Sequence, residues 1–204
     1  MSKYNKLYTN ISVLFGILMF EFNCKLYLYK YRQENLEKEP LNDIVHNFFP
    51  NIHNENKYDF LCSKYYGLGD LIVSTYIIVS IFYLSYYNFV KIISDTVFTL
   101  AILFLFRSIA FSITTLPCPI ICTNKPPFLM GGCGDLLFSG HYINFTVLLY
   151  VFTNKIKVNL LWKILLVLSY IFSIFITLIC RHHYSIDVWI SVLLSYSMSK
   201  IIIK

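Results

Sequence analysis

Charged residues are scarce in this sequence. Only 14% of the 204 residues are Asp, Glu, Lys or Arg, whereas 57% are hydrophobic and 18% are aromatic. Soluble domains carry about 25% charged residues, so a water-soluble domain of this length could not hide so much apolar surface. The net charge of +6 comes from lysines scattered near loop ends, without a basic stripe. This pattern argues against nucleic acid as a partner and fits anionic lipid headgroups.

Zinc-type spacing of cysteine and histidine is also absent, and the sequence predicts no metal and no cofactor. Cys24 and Cys180 lie in or beside apolar segments and are predicted to pack as free thiols. Cys118, Cys122 and Cys133 share one loop, and a disulfide among them requires that this loop face an oxidising compartment. The sequence leaves that pairing open.

Long apolar segments are abundant. The run from Leu71 to Val90 has no charge, and at about 1.5 Å per helical residue it covers a hydrocarbon core of roughly 30 Å. The same rule predicts five more spans, at about 8–29, 93–116, 136–154, 159–180 and 184–203. The prediction is an all-α polytopic membrane protein with six transmembrane helices in a bundle. There is no Gly/Ser linker, low-complexity tract or repeat, so residues 1–204 are interpreted as a single membrane domain.

Polar residues interrupt several of these spans. Glu21 and Lys25 are four residues apart in the first span and can pair on one helix face. Arg107 breaks the third span, and Asp187 opens the sixth. The first apolar segment is long and no clear small-residue cleavage site follows it, so we interpret it as an uncleaved signal anchor. The distribution of Lys and Arg leans toward cytosolic termini.

Two polar stretches, at about 31–69 and 117–134, are predicted loops, because prolines and glycines exclude regular helix from the second. Counting spans places both loops on one face, together with the turn at 181–183. His141 lies just inside the fourth helix, and His183 lies just before the sixth. Both histidines are therefore expected on the same face, where they can form one site.

The chemistry of these residues fits catalysis on a phosphate. His183 and Asp187 are four apart, so the carboxylate can accept an imidazole N–H and leave the other nitrogen as base or nucleophile. Gly140 lets the backbone approach a ligand closely, and the N–H groups of Ser139–His141 at a helix start suit an anion. A pair such as His183 and Asp187 is by itself equally consistent with a structural contact; the second histidine favours a catalytic site.

Three further residues have two readings each. Asp135 is either a helix N-cap or a group that orients His141 or binds a headgroup. Arg181 is either an interfacial anchor or a phosphate ligand. Arg107 either pairs with a loop acid or a backbone carbonyl or binds phosphate, and its depth in the membrane favours a function.

Four motifs resemble those of one family. The segments Gly134-Asp135-x-x-Phe138-Ser139-Gly140-His141 and His183-Tyr184-Ser185-x-Asp187-Val188 resemble the two catalytic motifs of the sphingomyelin synthases, which belong with the type 2 phosphatidic acid phosphatases. Arg107 followed by Thr115-Leu116-Pro117-x-Pro119, and Pro40-Leu41-x-Asp43 with Pro50, resemble two further motifs of that family. The matches run in order from about 40 to 190, with the catalytic core at about 107–190.

Two positions depart from the family pattern: Tyr142 stands where threonine is usual, and Asn42 where proline is common. These departures leave the reaction class intact and concern substrate choice.

The resemblance implies transfer of a phospho-headgroup from phosphatidylcholine or phosphatidylethanolamine to ceramide, with release of diacylglycerol. His183, oriented by Asp187, would form a phosphohistidine, and His141 would carry the proton. Asp135, Ser139, Gly140, Arg107 and Arg181 are the predicted phosphate or substrate contacts. The implied location is the Golgi, endoplasmic reticulum or plasma membrane, with the site on the lumenal or external face. The headgroup and the oligomeric state stay open.

Two other functions compete with this interpretation. A lipid phosphate phosphatase would discharge the same phosphohistidine with water, but such enzymes usually carry a motif that ends in Arg-Pro, and this chain has no Arg-Pro dipeptide. A protein that binds or moves lipid without catalysis needs no oriented imidazole, so the presence of both histidines with Asp187 argues against it.

Overall fold

The part of the chain that the structure, a computed structural model, describes is helical. It comprises residues 2–31, 39–49, 68–87, 89–114, 116–117, 119 and 136–204. Seven helices occur in these ranges: α1 Lys3–Tyr31, α2 Ile44–Phe48, α3 Leu68–Tyr86, α4 Val90–Ile113, α5 Gly140–Asn154, α6 Leu160–Ile179 and α7 Ser185–Ile202. The described ranges contain no β-strand, so the predicted all-α class is confirmed.

Five of these helices are long and apolar enough to cross a membrane: α1, α3, α4, α6 and α7. They coincide with five of the six predicted spans and fit an integral multi-pass membrane protein. The remaining predicted span, 136–154, contains α5, whose 15 residues give a length of about 22 Å. Residues 136–139 ahead of it form a turn instead of helix. The first four residues of the predicted span are therefore not helical.

The short helix α5 lies in the centre of the bundle. It contacts α3, α4, α6 and α7, and most of its side chains are buried, including Ile143, Phe145, Val147 and Val151 at 0% exposure. The outer helices instead present large apolar side chains to the surroundings, such as Phe82 and Trp189. Lipid tails solvate such side chains as well as a protein core does, so burial in this protein concentrates around α5.

Helix α1 packs mainly along α4. Near its start, Lys6 pairs with Asp95 at 2.9 Å, and Asn10 donates its amide N–H to the Ser94 carbonyl oxygen at 2.9 Å. Nearer its other end, Glu21 reaches Arg107 of α4. The predicted pairing of Glu21 with Lys25 is also present, with the nitrogen and oxygen 3.1 Å apart.

Cys180 does not conform to the sequence prediction. It is disulfide-bonded, so the prediction of a free thiol is wrong at this position. The prediction relied on the apolar residues around Cys180. A disulfide partner comes from a distant part of the chain, so these neighbouring residues could not reveal it. Cys24 is free, as predicted. Cys118, Cys122 and Cys133 lie outside the described residues.

Candidate active site

The site begins with His183 and Asp187, on the turn into α7. Asp187 lies in the first turn of that helix and is completely buried. Its Oδ2 lies 3.4 Å from Nδ1 of His183, within ion-pair distance but without hydrogen-bond geometry. The predicted pair is therefore adjacent in the folded chain, with the second imidazole nitrogen directed away from the carboxylate.

Asp187 also joins the two histidine motifs. Its Oδ1 accepts the N–H of Leu137 at 3.0 Å, and its Oδ2 accepts the N–H of Tyr184 at 3.1 Å. Leu137 has φ of 89°, a left-handed conformation that is rare for a branched side chain, so the bond to Asp187 holds an unusual turn. Ser191 adds a second link: its hydroxyl accepts the N–H of Ser139 at 2.7 Å and donates to the Asp187 carbonyl oxygen. These contacts place both motifs at one end of the bundle, the arrangement that counting the spans predicts.

His141 lies in the first turn of α5, with about half of its side chain exposed. Its Nε2 is 3.6 Å from Oδ1 of Asp70, in the first turn of α3. Gly69 brings α3 close to α6, because a Cβ there would lie only 3.0 Å from the Thr177 hydroxyl oxygen. Each of the two histidines has a carboxylate beside it: the buried Asp187 for His183 and the partly exposed Asp70 for His141.

Ser139 and Gly140 form the turn into α5. The Ser139 side chain is completely buried, its hydroxyl makes no hydrogen bond, and it does not cap α5. A Cβ on Gly140 would lie 3.6 Å from the Arg107 guanidinium and from the Phe104 ring, which is ordinary van der Waals contact. The protein itself therefore leaves room for a methyl group at Gly140.

Arg107 lies behind this turn. Its side chain is buried, Nε donates to the Phe138 carbonyl oxygen at 2.7 Å, and Nη1 pairs with the Glu21 carboxylate. The contact with a backbone carbonyl is one of the predicted alternatives for Arg107. The acid that pairs with it is Glu21 of the membrane-spanning helix α1, and not the loop acid that the sequence predicts. The role of Arg107 as a phosphate ligand stays a prediction.

The segment 39–49, which contains α2, packs on the turn that carries His183. Asp43 caps α2 through the N–H groups of Val45 and His46, and its Oδ2 accepts the N–H and the hydroxyl of Ser185 at 2.7 and 2.9 Å. The His46 Nε2 lies 3.1 Å from the carbonyl oxygen of His183. The segment Pro40–Asp43 of the first loop thus contacts the second histidine motif directly.

Two more contacts complete this interface. Arg181, with φ of 53°, donates from Nη2 to the His46 carbonyl oxygen at 3.0 Å. The Tyr184 hydroxyl accepts the Leu41 N–H at 2.9 Å and donates to the Pro117 carbonyl oxygen at 3.0 Å. Tyr184 therefore ties the first loop, the end of α4 and the start of α7 together.

Ionisation in this interface follows from burial and hydrogen bonding. Burial lowers the pKa of His46 below its ordinary value, and the positive charge of Arg181 acts in the same direction. Burial alone would raise the pKa of Asp43, but the two bonds from Ser185 and the nearby His46 outweigh it and lower that pKa. Burial raises the pKa of the Tyr184 hydroxyl. At neutral pH the interface therefore contains an ionised Asp43, a neutral His46 and a neutral Tyr184.

Three helices, α3, α5 and α7, begin at this end of the bundle, as the contacts of Asp70, His141 and Asp187 show. The start of a helix carries a partial positive charge, and α5 begins after Ser139 without a side-chain cap, so this end favours an anion such as a phosphate. At the start of α7, the N–H groups of Tyr184 and Ser185 already bond to Asp187 and Asp43. Within the described ranges, no group of three or more His, Cys, Asp or Glu side chains could hold a metal ion.

The structure brings together most of the site residues named from sequence: His141, His183, Asp187, Ser139, Gly140, Arg107 and Arg181. Asp135 lies outside the described residues. Sequence reasoning gave no role to Asp43, His46 and Asp70 and linked Glu21 only to Lys25. Asp70 could have been identified from sequence. It is an acid in the first turn of a span that starts on the same face as the two histidines, so it is expected near their site.

Tyr142, the departure from the family pattern, is buried between α5 and α6. Its hydroxyl donates to the Thr177 hydroxyl oxygen at 2.8 Å and receives a longer bond from Ser173. The larger side chain therefore fills space in the core and satisfies its polar atom there.

These features define the class of protein. It is a multi-pass helical membrane protein with two histidines, each beside a carboxylate, at one end of the bundle. They lie near the start of α5, which is suited to an anion. Residues 132–202 match the family model described as PAP2 superfamily C-terminal. The matched segment contains α5 to α7 and includes His141, His183 and Asp187. This match supports membership in the PAP2-like superfamily, whose chemistry is of the lipid phosphatase and phosphotransferase type. A search of curated proteins found no match to the chain.

Proposed function

We propose that this protein is a lipid phosphotransferase that moves a phospho-headgroup from a glycerophospholipid to ceramide and releases diacylglycerol. The observation that carries the proposal is the pairing of two histidines with two carboxylates at one end of the bundle, His183 with Asp187 and His141 with Asp70. Two successive transfers at phosphorus need a nucleophile and a separate proton carrier, and this arrangement supplies both. The family resemblance of the four motifs supports ceramide as the acceptor.

In the first step, Nε2 of His183 attacks phosphorus and the bond between phosphorus and the diacylglycerol oxygen breaks. That oxygen keeps the electron pair and takes a proton from the His141 imidazolium, so neutral diacylglycerol leaves. Asp187 stabilises the positive charge on the phosphorylated His183 ring, because its carboxylate lies 3.4 Å from Nδ1.

In the second step, the primary hydroxyl of ceramide attacks the phosphohistidine. Its proton passes to His141, which the first step left neutral, and the bond between phosphorus and nitrogen breaks with the electron pair returning to Nε2 of His183. The partly exposed Asp70 carboxylate stabilises His141 whenever it is protonated. Both histidines then have their starting protonation states again.

The phosphate oxygens are held by groups at the helix starts. In this proposal they contact Arg181 and the first N–H groups of α5, at Gly140 and His141. The buried Ser139 shapes the turn, and Asp135 serves as an organising acid. The aliphatic tails of both lipids extend between the outer helices, whose exposed side chains are apolar.

The active face is proposed to be lumenal or external, in the Golgi, endoplasmic reticulum or plasma membrane. Cys180 directly precedes Arg181 at this end of the bundle and is disulfide-bonded, and disulfides persist in oxidising compartments. Tags on the two termini followed by protease protection test this placement; a protected terminus on intact vesicles would contradict cytosolic termini.

The function is tested with purified protein in lipid nanodiscs that contain labelled phosphatidylcholine or phosphatidylethanolamine, with and without ceramide. We expect a ceramide-linked phospholipid together with an equal amount of diacylglycerol, and no product from His183→Ala. Release of phosphate from phosphatidic acid without any ceramide-dependent product would instead establish the phosphatase reaction. Mass spectrometry of the product identifies the headgroup.

A further inference from the structure

Helix α1 reaches the candidate active site through one buried carboxylate. We propose that Glu21 is a positioning residue: it holds Arg107 against the turn at 138–141 and thereby sets the position of the His141 imidazole. This inference rests on the proposed function for its kinetic readout, and a second readout below is independent of activity.

Glu21 stands out on α1. Only 11% of the most apolar 18-residue window of α1 is buried inside the protein. The Glu21 side chain is nevertheless almost fully covered. A carboxylate at membrane depth is unfavourable unless it has partners, and such groups usually have a task. Its Oε1 pairs with Nη1 of Arg107 and lies 3.1 Å from Nζ of Lys25.

Arg107 transmits this contact to the catalytic turn. The guanidinium is planar and rigid, so its Nη1 and Nε cannot move independently. Nη1 is held by Glu21, while Nε donates to the Phe138 carbonyl oxygen at 2.7 Å. The same group lies beside Gly140, 3.6 Å from where a Cβ would be. The guanidinium that Glu21 orients therefore bonds to Phe138 and lies next to Gly140, the residue that precedes His141.

The same two helices share a second ion pair, which separates positioning from packing. Lys6 and Asp95 join α1 to α4 at the opposite end of these helices, with the nitrogen and oxygen 2.9 Å apart. Asp95 is buried to the same degree as Glu21, with both side chains 8% exposed. If Glu21 only fastened α1 to α4, loss of either carboxylate would loosen α1 and leave kcat unchanged. Loss of Glu21 would lower the stability more, because its partner Arg107 is buried whereas Lys6 is half exposed.

Positioning also predicts a different kinetic change from direct phosphate binding by Arg107. A misplaced imidazole weakens the transition state and lowers kcat, because a shift of about 1 Å reduces a rate about 100-fold. A lost phosphate contact weakens substrate binding as well and raises KM.

The experiment compares Glu21→Gln with the matched control Asp95→Asn, in the full chain in nanodiscs. For Glu21→Gln we expect kcat of ceramide-dependent transfer to fall about 10- to 100-fold with KM nearly unchanged. For Asp95→Asn we expect wild-type kinetics. An equal loss in both variants, or a change confined to KM, overturns the positioning role.

Hydrogen exchange measured by mass spectrometry supplies the readout that needs no catalysis. We expect Glu21→Gln to increase exchange in peptides that cover 136–145, whereas Asp95→Asn leaves these peptides unchanged. Unchanged exchange in Glu21→Gln overturns the inference. Absence of any transfer by the wild-type protein would refute the proposed function, while the exchange experiment would still decide the role of Glu21.

Discussion

Replacement of Asp187 by asparagine separates its catalytic effect from its structural effect. The carboxylate accepts the N–H groups of Leu137 and Tyr184 through different oxygens and lies beside His183. An amide keeps the shape but has only one acceptor oxygen, so one N–H then faces an NH₂ group. The Asp187 side chain is completely buried, so water cannot replace the lost acceptor.

The structural loss is about 1.5–3 kcal/mol, the value of one hydrogen bond to a charged group. The catalytic loss is larger, because the amide can neither fix the imidazole tautomer nor stabilise the cation that phosphorylation creates. In a Ser–His–Asp triad the same replacement lowers kcat about 10⁴-fold. That factor corresponds to about 5.4 kcal/mol in the activation barrier.

Two measurements on Asp187→Asn follow from these magnitudes. The midpoint of thermal unfolding in nanodiscs is expected to fall by a few degrees, and single-turnover release of diacylglycerol is expected to fall by about 10⁴. A variant that unfolds earlier but keeps its rate within about tenfold of wild type would refute the role of Asp187 in catalysis and leave it as a structural link between the two motifs.

Three further outcomes are expected. Asp70→Asn lowers the single-turnover rate by only about tenfold, because the contact with His141 is longer and partly exposed. Gly140→Ala keeps the wild-type unfolding midpoint, since its methyl group finds ordinary contact distances, but lowers kcat/KM because the methyl group crowds the phosphate. Hydrogen exchange in the 39–49 segment is higher at a pH below the lowered pKa of His46 than at pH 7.5, because the buried ring is then protonated.

The sign of the pH effect follows from the lowered pKa of His46. Its stabilising contribution is complete above the ordinary value of 6.5 and is lost as the pH falls through the lower value in the folded protein. Arg181 repels the protonated ring, whereas Asp43 and Asp187 attract it, and burial outweighs that attraction. The contribution of Asp43, whose pKa is also lowered, is lost only below about 3.8.

Each of these outcomes has a contrary result. An Asp70→Asn rate equal to that of Asp187→Asn would mean that both carboxylates orient their histidines equally. Aggregation of Gly140→Ala would show that the turn itself requires glycine. Identical exchange in the 39–49 segment at both pH values, or the same pH response in His46→Gln, would show that His46 does not govern this contact.

The membrane class and the helix boundaries were predictable because they depend on local composition. Long uncharged runs predict helices from hydrocarbon thickness alone, and five of the six predicted spans are helices of spanning length. The sixth was predicted too long, because hydropathy does not distinguish the 136–139 turn, where Leu137 has a left-handed backbone, from helix.

Sequence spacing by itself determined that His183 and Asp187 are neighbours and, through the parity of the spans, that His141 shares their end of the bundle. Both conclusions follow from helix periodicity and the order of the spans, which are local properties. Only the tertiary structure decided that Asp187 also binds the N–H of Leu137 and that His141 lies beside Asp70.

The contacts of Arg107 with Glu21 and of Asp43 with Ser185 are of the same kind. They join residues 86 and 142 positions apart in the chain. No local pattern encodes such a distance. It is set by how α1, the first loop and the later helices pack around α5. The two histidines and Asp187 could therefore be named from sequence, but the carboxylates of Glu21, Asp43 and Asp70 around them could not.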